Sequence, residues 1–271
     1  MSGFTEPAKK HLGQNFLHDH GVIAKIVQAV NPQPGDAIVE IGPGQGALTF
    51  PLLKKHGGLT AIEFDRDLHA PLQAAAREHG MLRLIEGDVL GVDFTALAAE
   101  LAPADGQIRL VGNLPYNLSS PILFHALDHA ASIRDMHFML QKEVVERMAA
   151  GPGSKVYGRL SVMLQAYCAV TPLFIVPPGA FRPAPKVDSA VVRMVPKPAD
   201  KIEVADHRSF ANVVRAAFGQ RRKTLRNALN GVADSPQIEA AGLRPDARAE
   251  QVEVAGFVRL ANLLAGPPTV G

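Results

Sequence analysis

From about Ala37 onward, short apolar runs alternate with longer segments of helical period. The runs Ala37–Ile41, Leu59–Glu63, Leu82–Glu86, Ile108–Gly112 and Met136–Leu140 read as strands, with Leu173–Val176 and Ala190–Val195 as a later pair. Between them Leu48–Lys55, Leu68–Glu78, Ser119–His129, Val144–Ala149 and Leu160–Ala169 read as helices; Ser119 or Ser120 is placed to cap the third, with Pro121 in its first turn. The alternation predicts an α/β fold: a mostly parallel, doubly wound Rossmann-like sheet of seven strands covered by helices. Pro177, Pro178, Pro183 and Pro185 separate the two closing runs, which predicts an antiparallel hairpin with a long, stiff connection. After Val195 the pattern changes. Pro196 and Pro198 break the chain, and no strand-like run follows. Helices over His207–Phe218, Arg222–Leu229, Pro236–Ala241 and Ala249–Leu264 would make a small all-α domain. The expected division is therefore 1–197, including a helical arm over 1–34, and 198–271.

At 271 residues with 47% hydrophobic content, the chain can fill a core. A net charge of +2 is far short of what a wholly basic surface would give, so any nucleic-acid footprint must be local. The candidate clusters are Lys9 and Lys10, then Arg182, Lys186 and Arg193, and above all Arg221, Arg222, Lys223 and Arg226. Each alone fits a solvated face equally well. The single cysteine, Cys168, sits in an apolar stretch and reads as a core thiol; it has no partner for a disulfide within the chain. Lys9, Lys10, His11, Asp19, His20 and Lys25 interrupt any apolar run near the start, so a cytoplasmic protein without a membrane span is expected.

Candidate chemistry begins at Glu40, Gly42, Gly44 and Gly46, which fall between an apolar strand and a helix. Glycines there let the chain turn sharply and let a ligand lie against the backbone. A dinucleotide fingerprint reads G-x-G-x-x-G; here the third glycine comes one position early. The E-x-G-x-G-x-G form resembles the first motif of Rossmann-like methyltransferases, whose loop curls around the amino-acid part of the cofactor. Glu63 ends the second strand, seventeen residues after Gly46, where a carboxylate can accept hydrogen bonds from two ribose hydroxyls. Asp88 follows the third strand, placed to accept from a cofactor adenine amine.

Asn113, Leu114, Pro115 and Tyr116 follow the fourth strand and so fall at the same sheet edge. An adenine amine is a poor nucleophile because its lone pair is delocalised into the ring. A catalyst therefore needs acceptors for the two N6 hydrogens, and the Asn113 side-chain oxygen and the Leu114 carbonyl can supply them. Pro115 biases Leu114 away from helix, and Tyr116 is placed to stack on an extruded base. No general base is needed, since the nitrogen becomes acidic as it acquires positive charge.

With these motifs in hand, the chain resembles the ribosomal RNA adenine N6-dimethyltransferases over nearly its whole length, and among them the bacterial branch acting on the small subunit. Residues 10–17, Lys-His-Leu-Gly-Gln-Asn-Phe-Leu, match the family's amino-terminal signature, in which Asn15 and Leu17 are implied to contact the cofactor. Phe181, in the segment 181–189, matches the aromatic implied to sandwich the target adenine opposite Tyr116. The segment 217–227 resembles the part that marks the ribosome-assembly branch, rather than the antibiotic-resistance branch that modifies large-subunit RNA. The resemblance implies a class I methyltransferase fold and S-adenosylmethionine as cofactor. It further implies a monomer acting on the small-subunit RNA of the immature 30S particle, at two adjacent adenines near the 3′ end.

Two other readings stand beside this one. An NAD-type oxidoreductase fits the glycine turn but not the early third glycine or the N-L-P-Y turn. A non-catalytic RNA-binding assembly factor on the same fold fits everything except the need for an intact Asn113–Tyr116 turn. No metal site is expected: His125 and His129 are four apart, but Ala126 stands where a zinc protease carries its glutamate. Gly151–Lys155 lacks Walker spacing and reads as a surface loop bordering RNA.

Overall fold

The computed structural model describes residues 6–9, 12–102, 106–220 and 222–266. Its contacts divide the chain into two units, one of residues 1–145 and 171–196, the other of residues 146–170 and 197–271. The second unit thus takes in the segment 146–170 besides the residues that follow the expected boundary.

The first unit is built on a seven-stranded sheet. In chain order its strands are β2 (Ala37–Ile41), β3 (Gly58–Glu63), β4 (Met81–Glu86), β5 (Ile108–Asn113), β6 (Ile133–Gln141), β7 (Cys168–Val176) and β9 (Ser189–Pro196), arranged 4-3-2-5-6-9-7. β4, β3, β2, β5 and β6 pair in parallel, and β9 returns antiparallel to β6. The order reverses direction between β2 and β5, so a crevice opens at the carboxyl ends of those strands. Helices α1 (His20–Val30), α2 (Thr49–His56), α3 (Arg66–Ala76), α4 (Phe94–Leu101), α5 (Ser119–Asp128) and α6 (Lys142–Ala149) make the connections. The central strands are buried on both faces, which is why Ile38 and Val39 in β2, like Leu110 and Val111 in β5, are consecutive buried apolar residues.

Polar residues set the helix starts. Asp19, Asp65 and Asp93 accept from backbone N–H groups in the first turns of α1, α3 and α4. Helix α4 has no counterpart among the sequence expectations. At the sheet edge away from the crevice, buried Arg109 makes a two-pronged pair with Asp135 (2.9 Å each), another with Asp36 (2.7 Å), and a bond to the Val30 carbonyl (2.7 Å). One guanidinium therefore fixes the end of α1 against β2, β5 and β6.

A second sheet has only two strands. β1 (Phe16–Leu17) pairs antiparallel with β8 (Phe181–Arg182), Leu17 opposite Phe181. Leu17 and Phe181 join Val176 and Ala180 in an apolar cluster. The sequence pattern does not reveal this pairing, because two residues carry no periodicity.

The helical unit contains α7 (Arg159–Tyr167), α8 (His207–Gly219), α9 (Leu225–Ala228), α10 (Ser235–Ala240) and α11 (Val254–Ala265). Phe210, Leu225, Ile238, Phe257 and Leu260 are its fully buried apolar anchors. The helix expected from Arg222 begins only at Leu225: Thr224 is in extended conformation and bridges to Arg248, so Arg222 and Lys223 lie in the preceding turn. At the start of β7, burial pushes the Cys168 thiol up to about 12, as expected of a core cysteine. Among the described residues no helix is long and apolar enough to cross a membrane.

Candidate active site

The crevice is lined by the ends of four parallel strands and by the arm that leads into β1. The glycine loop supplies its floor. Gly42, Gly44 and Gly46 have φ of +66°, +57° and +83°, values that side chains resist. A Cβ on Gly46 would lie 2.4 Å from the Phe50 ring, and one on Gly44 would lie 3.1 Å from Phe16. The three glycines therefore answer to packing as well as to backbone conformation.

Carboxylates occupy the strand ends. Glu40 is 2% exposed, and its Oε2 accepts from the Thr49 hydroxyl at 2.6 Å. Burial pushes its carboxyl up to about 8, with the neighbouring Glu63 charge acting in the same direction. Glu63 accepts from the Gly44 N–H at 3.0 Å through Oε2 and from the Asp65 N–H at 2.8 Å through Oε1. It thereby braces the glycine loop, and desolvation raises its pKa as well. Asp88 is exposed and uses Oδ1 to cap the turn that follows it, accepting from Leu90 N–H at 3.0 Å. Together with Asp65, four carboxylates line the crevice, and no Lys, Arg or His is among its described lining residues.

Asn113 closes β5. Its Nδ2 donates to the backbone carbonyl of Asn15 at 3.0 Å, which fixes the amide and leaves Oδ1 as the acceptor. The following N–H, of Leu114, donates to Met139 O at 3.1 Å, so the turn is pinned to β6. The Pro115 carbonyl accepts from Leu118 N–H and from the Ser119 hydroxyl, starting α5. Tyr116 is half-buried, and its hydroxyl lies 2.7 Å from Oγ of the buried Ser189 on β9. The bond holds the ring at one end while burial raises its pKa.

The structure brings Asn15, Leu17, Glu40, Gly42, Gly44, Glu63, Asp88, Asn113, Leu114, Pro115 and Tyr116 into one lining. Gly46 belongs to the same loop but faces the Phe50 ring and is not among the lining residues. Phe181 is also outside the lining: it is 2% exposed and packs with Leu17, its direct partner across the β1–β8 pair, in the apolar cluster. Arg182 and Lys186 are exposed beyond it. Arg222, Lys223 and Arg226 are exposed on the helical unit, while Lys10 and Arg221 lie outside the described residues. His125 bonds the Val92 carbonyl and His129 the Thr95 hydroxyl, so both rings are engaged in packing α5 onto its neighbours. The Gly151–Lys155 loop belongs to the helical unit, where Lys155, Arg147 and Arg159 border a cavity with Tyr157 and Phe218.

Sequence reasoning missed several lining residues. Phe16 and exposed Phe64 present aromatic surface, and Gln14 and Asp65 join the arm to the sheet at 2.7 Å. Phe64 and Asp65 directly follow Glu63, so the Glu-Phe-Asp triplet was the available signal.

Comparison with known proteins agrees with this geometry. Two proteins named ribosomal RNA small subunit methyltransferase A, from Xanthomonas campestris pv. campestris (strain B100) and Xanthomonas axonopodis pv. citri (strain 306), are each 70% identical over 263 residues, covering 97% of this chain and 98% of theirs. Among solved structures, a dimethyladenosine transferase from Plasmodium falciparum superposes with a TM-score of 0.77 at 25% identity, over 90% of this chain and 95% of that one. The 23S rRNA methyltransferase ErmE gives 0.71 at 25% identity, over 93% and 100%. The sequence signature described as ribosomal RNA adenine dimethylase matches residues 5–266, and by that match, the 70% identities and the class I methyltransferase fold, the chain belongs to this family.

Proposed function

We propose that the chain transfers methyl groups from S-adenosylmethionine to N6 of two adjacent adenines near the 3′ end of small-subunit ribosomal RNA, giving N6,N6-dimethyladenosine. It acts as a cytoplasmic monomer on the immature 30S subunit. The observation that carries this reading is the Asn113 amide, whose nitrogen is committed to Asn15 and whose oxygen remains as an acceptor at the crevice.

The lining fits the cofactor. Acidic strand ends with no Lys, Arg or His among the described lining residues suit a ligand that bears an ammonium and a sulfonium better than the pyrophosphate of a dinucleotide. When bound, S-adenosylmethionine supplies an electrophilic methyl group on sulfur. Gly42, Gly44 and Gly46 would admit its amino-acid part against the backbone, with Glu40 behind them. Glu63 retains acceptor capacity beyond the Gly44 and Asp65 N–H groups for ribose hydroxyls, and Asp88 has a second oxygen for an exocyclic amine. Phe64 offers a hydrophobic flank for the purine, and Asn15 and Leu17 border the opposite wall.

At the nucleophile, Asn113 Oδ1 and the Leu114 carbonyl accept the two N6 hydrogens, drawing the nitrogen toward sp3 geometry. Tyr116, held by Ser189, stacks on the extruded base. Phe181, directly opposite Leu17 across the β1–β8 pair, is the aromatic that would sandwich the base from the other side. The chain contributes chiefly orientation for in-line displacement, an effect worth about 7–11 kcal/mol in well-aligned systems. The small-subunit substrate is supported by the names of the 70%-identical relatives. Exposed Arg182, Lys186, Arg222, Lys223 and Arg226 offer phosphate contacts, and Lys10 and Arg221 belong to the same basic segments.

The deciding experiment incubates the protein with labelled S-adenosylmethionine and small subunits lacking the modification, then digests the RNA to nucleosides. Label in N6,N6-dimethyladenosine is the expected result. Cofactor binding without any methyl transfer would return the reading to a non-catalytic RNA-binding factor.

A further inference from the structure

The arm that precedes β1 is fastened over the crevice at three points. Gln45 Nε2 donates to the Glu6 carbonyl at 2.8 Å, and Asn113 Nδ2 donates to the Asn15 carbonyl at 3.0 Å. Between them, Asp65 takes Lys9 Nζ at 2.5 Å and Gln14 Nε2 at 2.7 Å. Lys9 also meets Asp67 at 2.5 Å, and its backbone N–H donates to Gln14 Oε1 at 2.8 Å, closing the arm on itself.

Asp65 is 5% exposed, so this is no ordinary surface pair on its acidic side. Burial works against its charge, but the Lys9 and Gln14 hydrogen bonds outweigh that cost and hold its carboxyl below the usual range. The Asp65 N–H in turn donates to Glu63 Oε1, and Glu63 Oε2 holds the Gly44 N–H. A continuous run of hydrogen bonds therefore leads from the arm through Asp65 to the acceptor Glu63 and on to the glycine loop.

We propose that Asp65 is a positioning residue for cofactor capture: with Lys9 and Gln14 it latches the arm, so that arm, Glu63 and glycine loop close on the cofactor together. The inference rests on reading the crevice as the S-adenosylmethionine site. Two methyl groups on each adenine require the spent cofactor to leave and a fresh one to enter between transfers, and the Lys9–Asp65 latch makes no bond to Asn113 or Tyr116. The ionic fastening is the one that salt reaches, since Lys9 is 31% and Asp67 68% exposed. Opening there exchanges cofactor without disturbing the grip on the base.

The test uses the full chain with Lys9→Met, Lys9→Arg and Asp65→Asn. S-adenosylmethionine affinity is measured calorimetrically at about 50 and about 300 mM salt, where screening lengths differ about twofold or more. Methyl transfer to small subunits is followed at saturating cofactor. Lys9→Met should weaken affinity about fivefold at low salt, the size expected of a partly exposed ion pair, and Lys9→Arg should restore it. The rate at saturating cofactor should stay within about twofold of the parent, because the contacts at Asn113 are unchanged. Asp65→Asn should lose more affinity than Lys9→Met; if its loss of the α3 cap unfolds it, the Lys9 pair decides alone. Parent-like affinity in Lys9→Met, or a loss confined to the saturated rate, would overturn the latch. Failure of the parent itself to bind S-adenosylmethionine would overturn the cofactor reading, and the latch with it.

Discussion

Replacing Glu40 by Gln tests the electrostatics of the crevice floor. The substitution keeps the shape of the side chain, and its amide oxygen can still accept from the Thr49 hydroxyl, but the ionisable group is removed. In the folded chain the Glu40 pKa is raised from 4.5 to about 8, chiefly by burial. Between those values the native state holds a proton that the unfolded chain has released, so stability is fully present below about pH 4.5 and is lost as pH rises toward 8. At about 1.4 kcal/mol per unit, the window corresponds to a loss on the order of 4–5 kcal/mol. Glu63, whose pKa is also raised by burial, contributes in the same sense.

Urea unfolding of the ligand-free protein and of Glu40→Gln at about pH 5, 6, 7 and 8 provides the assay. The variant should match the parent within about 1 kcal/mol near pH 5 and become the more stable of the two by several kcal/mol near pH 8. Cationic cofactor favours the charged form of Glu40, so S-adenosylmethionine binding near pH 7 should release protons from the parent and fewer from the variant. Calorimetry in two buffers of different ionisation enthalpy reads this directly. A gap in stability that stays constant across the pH series would refute the assignment of a buried, protonated Glu40.

Asn113→Ala should lower methyl transfer on the order of a hundredfold or more while S-adenosylmethionine affinity stays within a few-fold, as for loss of an oriented hydrogen-bonding group at the reacting atom. An equal loss of affinity and rate would move Asn113 to the cofactor side. Gly112→Ala places a Cβ 2.6 Å from the Ile41 carbonyl oxygen and 3.1 Å from Leu114 Cδ2, so β2 and β5 must part. About 1–3 kcal/mol of stability should be lost, together with activity, and calorimetric unfolding checks the first. Neutralising Arg222, Lys223 and Arg226 should flatten the salt dependence of subunit binding by about one unit of slope per lost phosphate contact. An unchanged slope in filter-binding titrations would leave those cations as plain solvated surface.

Much of the sheet was legible because its strands are buried on both faces. Ile38, Val39, Ile41, Leu110 and Val111 form runs that no amphipathic helix of the same length would show, and each ends in a glycine, an acid or Asn113. Helix α4 was not legible in the same way: Phe94, Leu97 and Ala98 are its only fully buried residues, and eight residues with so narrow a stripe resemble a loop. Its clearest signal was local, Asp93 capping Thr95 and Ala96 N–H groups. The β1–β8 pair joins Leu17 to Phe181 across most of the unit's sequence, and a contact of that separation leaves no trace in local pattern. That pairing puts Phe181 directly opposite Leu17, while Phe16 lies beside Gly44. A residue's side of a strand depends on its partner, and the partner was invisible.

The two halves of the site share one structural element, and this explains why the amino-terminal arm carries so many specific residues. Asn113 needs its nitrogen occupied, because a freely turning amide would present a donor to the adenine amine as often as an acceptor. The Asn15 carbonyl supplies that constraint. Asn15 is in turn held in place by Leu17 packing on Phe181 and by Gln14 bonding to Asp65. The inner part of the arm, anchored at Leu17, therefore fixes the oxygen that faces the base, while the outer part at Lys9 and Asp65 serves cofactor capture. Cofactor capture and nucleophile alignment thus share one arm but not one fastening. An arm held by apolar burial alone would couple them permanently. An ionic fastening at Lys9 lets the outer part of the arm open while Leu17 stays anchored.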